Sequence, residues 1–143
     1  MEANDRAAGR RFSIAEANAL LPRLERQLRR VRTLLRRAEA LRREALALER
    51  VGVLPNGAPI LSADVRRARR AHEDLCAEAT GLLEAIAATG CQIRDVRAGL
   101  VDFPARLDGQ DVLLCWKVGE TAIAYYHSEE DGDQGRRPLP GAG

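Results

Sequence analysis

The stretch VGVLPNGAP, Val51 to Pro59, packs two glycines, two prolines and an Asn-Gly pair into nine residues. Proline lacks the amide that a helix interior needs and Asn-Gly favours a turn, so no helix continues through it. On both sides the apolar residues recur at spacings of three and four. Upstream they fall at 14, 17, 21, 24, 28, 31, 34 or 35, 38, 41, 45 and 48. Downstream the seam reads Val65, Ala68, His72, Leu75, Ala79, Leu82 and Ile86, ending at Thr89-Gly90. This is the period of one helix face, and two long helices joined by a short loop predict an antiparallel hairpin over residues 12–90.

The first helix has a clear start. Ser13 and Glu16 form a capping box, in which each side chain accepts a free amide at the other residue, and Phe12 stands where a hydrophobic staple packs. Pro22 predicts a kink or restart, with a short turn at 14–20 leading into a helix from 22 to 51. Ser62 is placed to cap the second helix. With the loop centred near residue 56, residue n of the second helix lies opposite residue 113 − n. Residues 12–23 therefore overshoot toward the segment beyond Gly90.

Beyond Gly90 the chain reads as extended. Residues 91–95 and 100–103 form short strands, the second stopped by Pro104. After the turn signal Leu107-Asp108-Gly109, residues 111–118 and 122–127 read as a β-hairpin closed across Gly119-Glu120. That pairing places Val112, Leu114, Trp116 and Val118 on one face with Ile123, Tyr125 and His127. Cys115 and Lys117 share the other face with Ala122, Ala124 and Tyr126, so Lys117 and His127 lie on opposite faces. The expected architecture is α+β, mainly α: a long antiparallel helical hairpin with a small antiparallel β-module, residues 91–127, at its C-terminal side. One domain spans 1–143, with 1–11 and 138–143 as mobile tails.

Composition narrows the function classes. The chain has 143 residues, 45% apolar and 31% charged, and no apolar run approaches the ~20 residues a membrane span needs. MEANDRAAGRR is not followed by a signal-peptide core, which points to the cytoplasm. Cys76, Cys91 and Cys115 lack CxxC spacing and read as reduced, buried small residues. Residues 1–51 carry 13 arginines against 7 acids, and Lys117 is the only lysine. Arginines surround the first helix outside its apolar seam, interleaved with Glu25, Glu39, Glu44 and Glu49. That breadth reads as a solvated face and argues against a nucleic-acid interface.

Several phrases carry a resemblance: FSIAEANALLP at 12–22, GLVDFPA at 99–105, LCWKVGE at 114–120, AYYH at 124–127 and GRRPL at 135–139. In order and spacing they resemble the uncharacterised bacterial and archaeal family called domain of unknown function 2203. The chain departs from the family pattern at Tyr126, where tryptophan is typical, and at Asp131-Gly132-Asp133, where an aromatic is frequent. The resemblance implies a shared fold and no particular activity.

The overshoot brings the start of the first helix beside the β-module. Glu16, Asn18, Asp102, Trp116, Lys117, Glu120, Tyr125, His127 and Arg136 are therefore candidate ligand-binding residues, lining a polar pocket with aromatic walls that include Phe103 and Tyr126. Such a pocket holds a small anion through Lys117 and Arg136, with His127 as proton donor or acceptor. The same residues equally make an ion-pair cluster fastening the β-module to the helices. His127 with Glu129, Glu130, Asp131 and Asp133 lacks a metal-ligand spacing, so no metal is expected, and His72 reads as a residue fixing helix register. GxGxxG, P-loop, GxSxG and HExxH motifs are missing, so nucleotide, hydrolase and zinc-protease readings have no motif support and the cofactor is left open. The leading expectation is a non-enzymatic homodimeric interaction or regulatory protein, pairing through the hairpin, with a protein partner or small anion as ligand. The alternative is a small enzyme acting on an anionic metabolite at the junction of helix and β-module.

Overall fold

The computed structural model describes residues 10–51, 55–58, 62–130 and 135–140. Helix α1 spans Ile14–Val51 and α2 spans Ser62–Ala88, followed by strands β1 (Gln92–Asp95), β2 (Leu100–Leu107), β3 (Gln110–Lys117), β4 (Tyr125–His127) and β5 (Arg137–Pro138). The strands form one antiparallel sheet in the order β1-β2-β3-β4-β5. The chain is α+β and mainly α. Parts of the expected loop at 51–61, the side chain of Ser62 and the acidic residues Asp131 and Asp133 lie outside the described residues.

Two compact units emerge: residues 1–28 with 84–143, and residues 29–83. In the first, the opening of α1 and the end of α2 pack on the sheet. The capping box closes as expected, Ser13 N donating to Glu16 Oε1 at 3.0 Å and Glu16 N to Ser13 Oγ at 3.0 Å. α1 runs on through Pro22, contrary to the expected restart. An interior proline costs about 3 kcal/mol, which the burial of its neighbours Leu21 and Leu24 in the core offsets. The core joins Phe12, Ala17, Leu21, Leu24, Leu28 and Ile86 to Val101, Phe103, Ala105, Val112, Leu114 and Trp116. Phe12 meets Phe103 edge to face, with ring centroids 5.2 Å apart.

β2 also overruns a proline. It extends to Leu107, past the stop expected at Pro104. Within a strand, the amide and carbonyl of one residue point the same way. Pro104 O accepts the Phe12 amide at 2.7 Å, while β1 pairs only with residues 100–102. The missing N–H therefore faces an edge where no strand requires it.

β2 and β3 join through a two-residue turn at Asp108 (φ 50) and Gly109 (φ 78), the positive-φ pair of a type I′ hairpin. That turn fixes Leu107 opposite Gln110 and hence Asp102 opposite Cys115. Between β3 and β4 the expected tight hairpin is replaced by a connection over residues 118–124. Its register pairs Leu114 with Tyr126, Cys115 with Tyr125 and Leu113 with His127. The expected parity is therefore reversed: Tyr126 shares the face of Leu114 and Trp116, while Lys117 and His127 lie on the same face. The sheet also continues beyond the expected end at 127. Leu139, assigned to a tail, is buried in the core, and its amide bonds to Ala124 O at 2.9 Å.

The second unit consists of the two helical arms. Arg30 Nε meets Glu78 Oε2 at 2.9 Å, and Arg69 pairs with Glu49, so the arms run antiparallel. Val31, Leu34, Ala38, Ala45 and Ala79 are buried between them. His72 lies on the seam, its Nε2 3.7 Å from Cys76 Sγ.

Candidate functional site

Strand alternation sorts the candidates onto two faces of the sheet. Val101, Phe103, Leu114 and Trp116 point into the core beneath the helices. Asp102, Cys115 and His127 occupy the opposite face, one each from β2, β3 and β4. The pocket expected to combine Trp116 and Phe103 with Asp102 and His127 is thus divided by the sheet itself.

On the outer face, Asp102 and His127 are 3% and 2% exposed. His127 Nε2 lies 3.3 Å from Asp102 Oδ2. Arg94, at the β1 bulge, brings Nε to 3.2 Å from the same oxygen and Nη1 to 3.4 Å from His127 Nε2. His127 Nδ1 is 2.7 Å from Ser128 O. A carbonyl only accepts, so Nδ1 carries a proton and Nε2 is the ring nitrogen that faces Asp102. Cys115 completes the group: one ligand atom from each of Asp102, Cys115 and His127 falls within 4.8 Å of the others. Burial, followed by the Asp102 charge, pushes the Cys115 thiol up to about 12. It is a protonated thiol, not an activated nucleophile.

Asn18, Trp116, Glu120, Tyr125 and Arg136 build a second cluster that fastens the 118–124 connection. Glu120 Oε1 accepts the Lys117 amide at 2.7 Å, and Trp116 Nε1 donates to Glu120 O at 2.9 Å. Arg136 Nη2 reaches the Glu120 carboxylate at 3.2 Å, with its guanidinium 4.0 Å over the Tyr125 ring. Asn18 Oδ1 accepts the Ile123 amide at 2.7 Å, and Glu25 Oε1 accepts that of Gly119 at 2.9 Å. Glu16 stays with its capping box and lies 3.8 Å from Arg10, hydrogen bonds from Ser13 holding its carboxyl below the ordinary range. Lys117 is exposed. Glu16, Asn18, Trp116 and Glu120 thus act on the fold, through backbone amides and carbonyls.

Sequence reasoning missed Arg94 and Cys115. For Cys115 the signal was present: a two-residue turn at Asp108-Gly109 dictates the register that sets it beside Asp102. For Arg94 there was none, because a bulge interrupts β1 between Ile93 and Asp95.

A family model described as an uncharacterized conserved protein (DUF2203) matches residues 10–139, and the chain belongs to that family. Among curated proteins and among solved structures, nothing matches. Among the described residues no helix is long and apolar enough to cross a membrane.

Proposed function

We propose that the protein is a non-enzymatic interaction or regulatory protein that works as a homodimer, paired through the helical arms of residues 29–83. The observation that supports this reading is the incomplete cover of the arms. Leu35 and Leu46 are 38% and 46% exposed. Leu41, Leu48, Val65, Leu75, Leu82 and Leu83 are only half-buried. Two helices cannot bury stripes of this width in each other, and a second copy supplies two more in a four-helix arrangement. The pairing is isologous, so the same leucines serve both partners. Leu46 also lines a groove with Ala45 and His72, rimmed by Arg42, Glu49, Arg69 and Glu73, into which a partner side chain fits.

The enzyme reading has less support. An anionic substrate beside His127 needs a cation next to the ring, whereas Arg94 is engaged by Asp102, Arg136 by Glu120, and Lys117 lies four residues along β3 from Leu113, the residue that pairs with His127. Free Cys76, Cys91 and Cys115 fit a reducing compartment, and the cytoplasm is the residence this reading assigns.

Light scattering coupled to size exclusion tests the proposal. We expect wild-type protein at twice the 15.7 kDa chain mass, and a Leu35→Glu/Leu46→Glu variant at the chain mass with its helix content intact. Both positions are chosen because they are exposed, whereas changing the buried Leu34 would damage the arm itself. Wild-type protein that stays monomeric at high micromolar concentration would refute the reading.

A further inference from the structure

The outer sheet face carries a more specific chemistry, independent of how the arms pair. We propose that Asp102, Cys115 and His127 form a divalent transition-metal site of the zinc class, with one carboxylate, one thiolate and one imidazole ligand.

Three observations lead there. The first is the convergence of two nearly fully buried polar groups. With Nδ1 committed to Ser128 O at 2.7 Å, His127 directs Nε2 at a carboxylate oxygen 3.3 Å away. Positive charge holds such a contact together, here from the Arg94 guanidinium or a proton on the ring, and a divalent ion can take that place. Arg94, 3.2 Å from Asp102 Oδ2 and 3.4 Å from His127 Nε2, is the charge that the ion would displace, its 31% exposed side chain turning toward solvent as the metal enters.

The second observation is metric. Ligands about 2.0–2.3 Å from a tetrahedral ion lie roughly 3.3–3.8 Å from one another. The His127–Asp102 edge is already 3.3 Å, and all three ligand atoms fall within 4.8 Å, so a small side-chain adjustment closes the set on one ion. Adjacent strands β2, β3 and β4 supply one ligand each, which places the donors on a hydrogen-bonded frame instead of a loop.

The third is the orientation of the histidine. A metal-binding imidazole typically donates its second N–H to a carbonyl or carboxylate, which fixes the tautomer and aims the lone pair at the ion; Ser128 O plays that part here. The donor set chooses the metal. Nitrogen and sulfur favour Zn²⁺ or Co²⁺, whereas Ca²⁺ and Mg²⁺ require oxygen ligands. As the metal–sulfur bond forms, the Cys115 proton passes to solvent and the ligand set carries two negative charges against the two positive charges of the ion.

Cobalt titration of metal-stripped, reduced protein tests this. We expect one Co²⁺ per chain with a thiolate-to-cobalt charge-transfer band that Zn²⁺ abolishes by displacement. Cys115→Ser eliminates the band. His127→Gln and Asp102→Asn weaken Zn²⁺ binding by at least about 100-fold, the upper end of what losing a mere outer-sphere partner costs. His72→Gln and Cys76→Ser leave binding unchanged. Because a buried-site variant can fail to fold, X-ray absorption on the wild-type zinc form supplies a test without mutation: a sulfur scatterer at about 2.3 Å together with nitrogen or oxygen neighbours supports the site. A first shell without sulfur, wild-type protein that binds neither ion, or a band that survives in Cys115→Ser would overturn it.

Discussion

The same helices are covered differently in the two units. Where α1 and α2 meet the sheet, Leu24, Leu28 and Ile86 are completely buried, whereas along the arms Leu35 and Leu46 remain 38% and 46% exposed. The three-four spacing is equally regular in both. A helical period therefore specifies which face is apolar without specifying what covers it. In the sheet unit the cover comes from the alternate positions of β2 and β3; along the arms, among the described residues, each helix is covered by the other.

The contrast is most readily broken at Phe103, which packs against Phe12 in the covered unit. Phe103→Ala is expected to lower unfolding free energy by about 3–5 kcal/mol in urea titrations, and a loss below 1 kcal/mol would mean that this core is less tightly built than its burial implies. Ser13→Ala, which removes half of the capping box at the entry to the same unit, should cost about 1 kcal/mol by thermal melting. Leu46→Ser in the arm, measured at a concentration where the chain is monomeric, should change stability by less than about 0.5 kcal/mol. A larger loss would show that the arm already covers that residue.

The smallest effect concerns pH. Hydrogen bonds from Ser13 and from Arg11 hold the Glu16 and Asp111 carboxyls below their ordinary values. Their stabilisation is complete above the unfolded-state pKa and disappears as pH falls through the lower folded one. Both groups are exposed, so the effect is screened and small. Glu16→Gln should reduce the acid-side slope of melting temperature, and an unchanged slope would remove Glu16 from this account.

The helical arms, the capping box and the return of residues 12–23 to the β-module were legible because each rests on local spacing. The helix restart at Pro22 and the strand stop at Pro104 did not occur, because tertiary contacts outweighed a local rule: Pro22 sits between two anchored leucines, and Pro104 turns its missing donor toward an edge that β1 does not reach. The face of β4 was misassigned because residues 118–124 form a longer connection than Gly119-Glu120 implied. Asp102, Cys115 and His127 lie thirteen and twelve residues apart, a spacing that means nothing until antiparallel register brings them together. Their grouping was half legible, through the Asp108-Gly109 turn.

Hydrogen exchange followed by mass spectrometry tests the difference between the units most directly, because it reads local opening without mutation. Peptides from residues 92–117 should be strongly protected at every protein concentration. Those from 29–50 and 63–83 should exchange faster when dilute and gain protection as concentration rises and the arms find their second copy. Equal, concentration-independent protection in both regions would contradict the account.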